Sequence, residues 1–128
     1  MKRFLVLTVL MAFLSTGIAF GQSTFITGRD LIQWSADADA MLSGSGGVNE
    51  IVTASQMIGY IEAVADVGQM SNTLSIPDGT NIRSLFNVVR SYLIAHPEYS
   101  GEPGCVIVLN ALHAVYPAPQ KQQPTPHL

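Results

Sequence analysis

Apolar residues recur at the spacing of one helix face in four segments of the chain. In the first segment the pattern begins after Thr27, which forms the pattern of a variant capping box with Asp30 three positions later. The apolar face of this segment consists of Leu31, Trp34, Ala38, Met41 and Leu42. The glycine- and serine-rich stretch 43–47 follows and predicts the end of the first helix.

The second segment predicts a long helix. It is expected to start near Asn49 or Thr53 and to run to about Met70, which is roughly five turns. Its apolar stripe consists of Ala54, Met57, Ile58, Ile61, Val64 and Ala65. Glu62 and Asp66 lie one turn apart on another stripe, which is either a solvated helix face or an acidic strip for a basic partner surface.

The third helix is predicted after the turn sequence Ile76-Pro77-Asp78-Gly79. Its apolar face consists of Ile82, Leu85, Phe86, Val89, Tyr92 and Leu93. Pro97 disfavours helical geometry at the residue before it, so the helix is expected to stop at His96. His96 is then expected to cap the helix C-terminus, where a cation or a hydrogen-bond donor meets free carbonyl groups.

The fourth helix is predicted to follow Ser100 as its N-cap, with Glu102 and Pro103 in the first turn. Residues 106–111 are apolar nearly all round apart from Asn110, which predicts the most buried helix of the domain.

A short buried strand over residues 106–109 is the alternative interpretation of this β-branched run. A helix is favoured because Leu112 and Val115 continue the helical period and because no other segment offers a strand to pair with. The fold class predicted for residues 22–117 is therefore all-α, a compact bundle of four main helices without a sheet.

The core of this bundle is expected where the second helix docks against the fourth. Ile58, Ile61 and Leu112 are the predicted contacts, with Trp34 closing one end of the cluster. Packing must carry the fold because a small domain buries only a modest core.

Residues 1–21 have the features of a cleaved secretory signal peptide. Two positive charges precede the apolar run 4–14, and Ala19-Phe20-Gly21 is a small-x-small cleavage site before Gln22. A transmembrane anchor is the alternative, but about eleven apolar residues fall short of the roughly 20 that a bilayer requires. The mature chain is expected to be soluble, in the periplasm or outside the cell.

Signal cleavage would leave four basic residues against nine acidic ones. A mildly acidic surface disfavours nucleic acid and anionic lipid as partners. Residues 118–128 are rich in proline and glutamine and are expected to be a disordered tail.

Cys105 is the only cysteine, so the chain can make no intramolecular disulfide. We expect it to be a small apolar core residue. A disulfide between two subunits and a reactive thiol are the alternatives.

The mature chain offers little for catalysis. Its histidines are His96, His113 and His127, and Gly44-Ser45-Gly46 lacks the spacing and strand context of a nucleophile elbow. The same glycines lack the strand and the Lys-Ser/Thr pair of a phosphate loop, and no His or Cys pair has metal-ligand spacing. We therefore expect a protein that is not an enzyme and that holds no cofactor and no metal.

Four short motifs carry a resemblance to a known family. They are Met57-Ile58-Gly59-Tyr60-Ile61, Ser75-Ile76-Pro77, Tyr92-Leu93-x-x-His96-Pro97-Glu98 and Ala111-Leu112-x-x-Val115-Tyr116-Pro117. In order and spacing they are similar to the Rap1a/Tai family over roughly residues 28–118. The resemblance implies an all-helical, often dimeric, periplasmic immunity protein that binds and blocks peptidoglycan amidases delivered by type VI secretion.

The chain departs from the family pattern at its cysteines. Met57, Ser75 and Ala118 stand where the family carries Cys, and a further family Cys falls at Ser35. A relative that lacks these bridges must compensate by packing or by association of two copies. Eight residues in or near the motifs are the predicted structural positions: Trp34, Gly59, Tyr60, Pro77, Tyr92, His96, Pro97 and Leu112.

Two classes of function fit these observations. The resemblance implies an inhibitor that presents loops to a secreted amidase, and the loop residues proposed to contact this partner are Ser43, Gly44, Ser45, Gly46, Gly47, Asn49, Asp78 and Gly79. The alternative is a periplasmic acid-stress chaperone that holds unfolded clients on apolar surface, or a structural subunit of an envelope assembly.

Overall fold

The computed structural model describes residues 25–119 as a bundle of four α-helices. The elements are α1 (Gly28–Leu42), α2 (Val48–Met70), α3 (Ile82–Ala95), a short 3₁₀ helix (Pro97–Gly101) and α4 (Gly104–Val115). Extended pairing within this range is limited to two isolated bridges, Thr27 with Pro103 and Leu74 with Pro117. The predicted all-α fold of four helices without a sheet is confirmed for these residues, and the strand alternative for 106–109 is wrong.

The start of α1 depends on the predicted capping box. The amide and the hydroxyl of Thr27 both donate to Asp30 Oδ2, each at 2.8 Å. The helix ends where Gly44 adopts a φ of +77°, a left-handed conformation that favours glycine. Both ends of α1 were therefore predicted from local sequence.

The start of α2 lies earlier than expected. The helix begins at Val48, because the Glu50 carboxylate reaches back to accept from the Gly47 amide at 2.8 Å. Neither Asn49 nor Thr53 is its first residue. At the other end, the amides of Thr73 and Leu74 both donate to the Gly68 carbonyl, which turns the chain away after Met70.

The third helix has the predicted end and a clear N-cap. Asn81 Oδ1 accepts from the Ser84 amide at 2.9 Å. The helix stops at Ala95, and His96 leaves helical geometry before Pro97 with φ −129° and ψ 60°. Pro97 then opens the 3₁₀ helix.

The prediction of Ser100 as the N-cap of α4 is wrong. Ser100 lies inside the 3₁₀ helix, and α4 begins at Gly104 with Pro103 in the N-cap position. The cause is a long-range pairing of the two helix starts. The Gly28 amide donates to the Glu102 carbonyl and the Gly104 amide to the Ile26 carbonyl, each at 2.9 Å. This pairing keeps the chain extended before Gly104 and delays the helix.

The core lies between all four helices, with Leu74 from the loop after α2. Its buried apolar residues are Leu31, Ala38, Ala54, Met57, Ile61, Ala65, Leu74, Leu85, Phe86, Val89, Leu93, Ile107, Val108, Ala111 and Leu112. Ile61 and Leu112 are fully buried as expected. Ile58 is not part of this contact, because it is half-buried and lines a cleft beside α1 and α3.

Cys105 is exposed, which contradicts its assignment to the core. The α4 face that meets the core consists of Gly104, Ile107, Val108, Ala111 and Leu112. Cys105 and Val106 lie outside the arc that these positions occupy on the helical wheel, and Val106 is 45% exposed. One side of α4 is therefore well buried, whereas another apolar side, which includes Cys105 and Val106, faces solvent.

The last described residues pair with the loop after α2. The Ser75 amide donates to the Tyr116 carbonyl at 3.0 Å, and the Ala118 amide donates to the Thr73 carbonyl at 3.3 Å. Hydrogen bonding thus extends to Ala118, the first residue of the predicted tail. The predicted signal peptide 1–21 and residues 120–128 of that tail lie outside the described residues.

Candidate partner-binding surface

One apolar cleft is lined by helix residues that precede or follow the two loops expected to bind a partner. The cleft has a volume of about 200 Å³ and is lined by Ala38, Met41, Leu42, Ile58, Ile82, Arg83 and Phe86. Leu42 is the residue before Ser43, and Ile82 follows Gly79 by three positions. The fold therefore brings the end of α1 and the start of α3 together in a single cleft, whose lining does not include the candidate loop residues themselves.

Exposed apolar side chains also stand at the end of α1 and at the start of α2. Leu42, Val48 and Ile51 are 53%, 76% and 49% exposed. Ile51 and Ile58 are seven residues apart and so lie on the same side of the helix. Exposed apolar side chains of this kind are candidates for contact with a partner. Sequence reasoning missed Val48 and Ile51, because both lie off the apolar stripe that faces the core.

The glycine-rich loop beside the cleft is held in place by hydrogen bonds. The hydroxyls of Ser43 and Ser45 both donate to the Ala40 carbonyl, at 2.9 and 3.2 Å. Gly46 is half-buried against the end of α1, and a Cβ there would lie 2.9 Å from the backbone of Met41. Gly44, Gly47 and Asn49 complete the exposed part of this segment. A loop held in one conformation loses little entropy when a partner binds it.

The second loop brings a carboxylate to those of α2. Asp78 lines a polar cleft of about 290 Å³ together with Glu62 and Asp66, and all three residues are exposed. Gly79 has a φ of +81°, and the Thr80 hydroxyl donates to the Pro77 carbonyl at 2.7 Å, so this turn is tight. The acidic strip predicted on α2 is thereby widened by a residue from the loop.

The acidic cleft and the apolar cleft are neighbours. Ile82 lines both of them. The salt bridges within residues 25–119 join Arg90 to Asp39 and His96 to Glu98, so they leave the three carboxylates of the acidic cleft unpaired in this part of the chain. The surface formed by the two clefts, which we call the two-cleft surface, therefore combines apolar side chains and Arg83 with three carboxylates that form no salt bridge among the described residues.

An aromatic stack stands at the end of α3. The ring centroids of Tyr92 and His96 are 4.4 Å apart, and those of His96 and Tyr99 are 5.3 Å apart. His96 Nδ1 lies 3.0 Å from Glu98 Oε1. His96 is the C-cap residue of α3, as predicted, and its backbone amide donates to the Tyr92 carbonyl at 3.0 Å. Its side chain contacts Glu98 and not the free carbonyl groups of the helix. Pro97 follows directly and is exposed.

Hydrogen bonds and burial shift two pKa values in this stack. Hydrogen bonds from its own backbone amide and from His96 hold the pKa of Glu98 below its usual value. Partial burial raises the pKa of Tyr92, and the neighbouring Tyr99 and Glu98 add to this effect. The stack joins α3 to the 3₁₀ helix.

The remaining structural candidates differ in their surroundings. Trp34 packs edge-on against Tyr60, with ring centroids 6.4 Å apart and an interplanar angle of 81°. Pro77 is exposed in the tight turn, and Leu112 is fully buried. Gly59 is exposed on α2, and no atom lies within 4 Å of the position that a Cβ would take. The packing of the domain therefore gives no reason for a glycine at this position.

The described residues contain neither a metal-binding cluster nor a membrane-spanning helix. No three His, Cys, Asp or Glu side chains between residues 25 and 119 converge as a metal site would require. Over the same residues no helix combines the length and the apolar character needed to cross a bilayer. Of the histidines considered for catalysis, His113 is exposed on α4, and His127 lies outside the described part of the chain.

A family comparison covers almost the whole of the described domain. The model of the Rap1a immunity proteins matches residues 27–118, from the N-cap of α1 to the last backbone pairing after α4. The chain belongs to the family of Rap1a immunity proteins. Comparison with curated proteins and comparison with solved structures both returned no match.

Proposed function

We propose that this Rap1a-family chain is exported to the periplasm, where it binds and inhibits a peptidoglycan amidase delivered by type VI secretion. The observation that carries the proposal is the family match over residues 27–118, since the family is one of immunity proteins. The signal-peptide features of residues 1–21 support export. The chain acts in this proposal by binding and performs no chemistry of its own.

The two-cleft surface is the proposed contact with the amidase. An apolar side chain of the effector would enter the cleft beside Ile58 and Ile82, where burial of apolar area stabilises the complex. Basic residues around that side chain would face Glu62, Asp66 and Asp78. Charges at such a rim increase the association rate and select against acidic partners.

Inhibition then follows from steric blockage. The 76–80 turn lines the acidic cleft, and segment 43–49 follows Leu42 of the apolar cleft. In the proposed complex these two segments would cover the entrance to the effector's substrate groove. Because hydrogen bonds to Ala40 and Pro77 already hold these segments, the complex forms with little ordering cost. The resemblance also implies that two copies of the chain associate.

Growth protection tests the proposal. Type VI peptidoglycan amidases are expressed one at a time in the periplasm of a host bacterium, with and without this chain. We expect the full-length chain to restore growth against a cognate amidase, and the purified protein to stop that amidase from releasing peptides from isolated peptidoglycan. A chain lacking residues 2–21 is the control for export, and it should give no protection although it still inhibits the amidase in vitro.

Failure to bind or inhibit any amidase of the panel would contradict the proposed function. The chaperone alternative predicts a different result, namely suppression of client aggregation that increases at acid pH. Protection that persists without residues 2–21 would contradict the proposed export, but not the proposed inhibition.

A further inference from the structure

Among the residues that line the apolar cleft of the two-cleft surface, Arg83 alone is charged. Its side chain is exposed, and the salt bridges within residues 25–119 join Arg90 to Asp39 and His96 to Glu98. Arg83 therefore has no carboxylate partner in the described part of the chain. The proposed function gives this cation no task, because it uses only the apolar cleft and the three carboxylates of the acidic cleft.

The stability of α3 does not require a cation at this position. Arg83 is the second residue of the helix, and the first turn contains no acidic residue. A positive charge in the first turn faces the positive end of the helix dipole, which is mildly unfavourable. Asn81 already caps this end by accepting from the Ser84 amide. The position of Arg83 is therefore better explained by contact with a group outside the domain.

Arg83 and the acidic cleft lie on opposite sides of Ile82. Ile82 lines both clefts, whereas Arg83 lines only the apolar one and Leu85 only the acidic one. At about 3.6 residues per turn, Arg83 is rotated about 100° from Ile82 in one direction, and Leu85 about 60° in the other. On α3 the surface thus changes from a cation to an acidic cleft across one apolar residue.

The same change occurs along α2. Ile58 lines the apolar cleft, and Glu62 and Asp66, one and two turns further on, line the acidic cleft with Asp78. These three carboxylates are exposed and form no salt bridge among the described residues. The two-cleft surface is therefore dipolar, with a cation beside the apolar cleft at one end and three carboxylates at the other.

We propose that the effector segment bound at this surface has the complementary order of charges. It carries a carboxylate beside Arg83, an apolar side chain in the cleft and basic residues at the acidic end. This inference rests on the proposed function and specifies the chemistry of its partner. A guanidinium binds a carboxylate through two parallel hydrogen bonds, and the interaction is stronger where apolar side chains exclude water.

Arg83 is then a specificity-determining residue, because it selects the orientation of the bound segment. A segment with basic groups on both sides of its apolar side chain would place one of them against Arg83. A segment bound in the reverse direction would place like charges together at both ends. Such contacts are repulsive, so effectors with these orders of charge should bind poorly.

Charge reversal at Arg83 tests the inference through the sign of its effect. Arg83→Glu makes the surface more acidic, so a partner recognised by net negative charge alone would bind this variant more tightly than the wild type. The proposed carboxylate contact predicts the opposite, a dissociation constant raised about tenfold or more. Titration calorimetry with the amidase that growth protection identifies measures the change.

Arg29→Glu is the matched control. Arg29 is exposed, is also the second residue of its helix and lines neither cleft of this surface. This variant has the same net charge as Arg83→Glu and should bind as the wild type does. Urea denaturation of Arg83→Glu should give the wild-type midpoint or a slightly higher one, because a negative charge suits the start of a helix. Equal or tighter binding by Arg83→Glu, or equal weakening in both variants, overturns the inference.

A compensating change in the amidase locates the carboxylate. Each exposed Asp or Glu around the amidase's substrate groove is replaced by Arg, and each variant is titrated with the wild-type chain and with Arg83→Glu. One amidase variant should lose affinity for the wild-type chain and regain it for Arg83→Glu. The inference is wrong if no variant restores binding.

The two levels of the argument fail in different ways. A wild-type chain that inhibits no amidase contradicts the proposed function and the inference with it. A wild-type chain that inhibits an amidase, together with an Arg83→Glu variant that inhibits it equally well, contradicts the inference alone.

Discussion

Arg90 on α3 contacts Asp39 on α1 through two nitrogens. Nη2 lies 2.6 Å and Nε 2.8 Å from the same carboxylate oxygen, Oδ2. The two side chains are 38% and 43% exposed. Solvent screens a pair this exposed, so its contribution to stability is small despite the short distances.

We therefore expect Arg90→Met to lower the free energy of unfolding by about 1 kcal/mol or less. Urea denaturation of this variant and of Asp39→Asn measures the effect. The double variant should cost little more than either single change, since both remove the same contact. A loss of unfolding free energy several times larger would mean that this ion pair stabilises the fold far more than an exposed pair does.

Core truncation should have a much larger effect. Ile61 and Leu112 are fully buried, so replacing either by Ala leaves a cavity and should cost about 2–5 kcal/mol. Ile94→Ala is the control, because this exposed side chain should change stability by about 0.5 kcal/mol or less. Equal losses at Ile61 and Ile94 would contradict the packing described for α2.

Replacing either of two glycines on α2 by alanine should change stability, but in opposite directions. A Cβ at Gly68 would lie 2.5 Å from Cδ1 of the buried Leu74, so Gly68→Ala should cost about 1–3 kcal/mol through overpacking. A Cβ at Gly59 would meet nothing within 4 Å, so Gly59→Ala should stabilise the helix by up to about 1 kcal/mol. Thermal denaturation of both variants measures the difference. Destabilisation by Gly59→Ala would contradict the description of Gly59 as a position without neighbours.

Acid should weaken the start of α1. The Thr27 amide and hydroxyl donate to Asp30 and lower the pKa of its carboxyl below the ordinary value of 3.8. Because the folded state holds this pKa down, its contribution is complete above the unfolded pKa and is lost as the pH falls through the folded one. We expect the melting temperature to decrease below about pH 4 and Asp30→Asn to make this decrease shallower. An Asp30→Asn variant whose pH profile is the same as that of the wild-type protein would contradict this role of Asp30.

Charge reversal at the acidic cleft should weaken amidase binding. Glu62→Lys and Asp78→Lys each reverse a carboxylate of this cleft, so we expect slower association and a loss of inhibition that is largest at low salt. Glu102→Lys changes the net charge by the same amount at an exposed position that lines neither cleft of this surface. Similar losses for all three variants would mean that net charge alone, and not this cleft, governs binding.

Local patterns in the sequence determined the helices themselves. The apolar periods predicted the number of helices, because each period reflects the face that a helix turns to the core. The capping contact between Thr27 and Asp30 depends on a separation of three residues, and Pro97 ends α3 by its effect on one neighbour. Such features act within one turn of chain, so they can be read without knowledge of the fold.

Which of several apolar faces becomes buried was decided only by the tertiary structure. Cys105 and Ile107 are equally compatible with a core position in sequence, but α4 docks through Ile107 and leaves Cys105 at the surface. Likewise Ser100 is a sound N-cap by composition, yet the pairing of Gly104 with Ile26 moves the helix start past it. The first outcome depends on how α4 packs against α2 and α3, and the second on a segment more than 70 residues away in the chain. The two-cleft surface has the same origin, because its residues come from three helices and one loop that no local pattern connects.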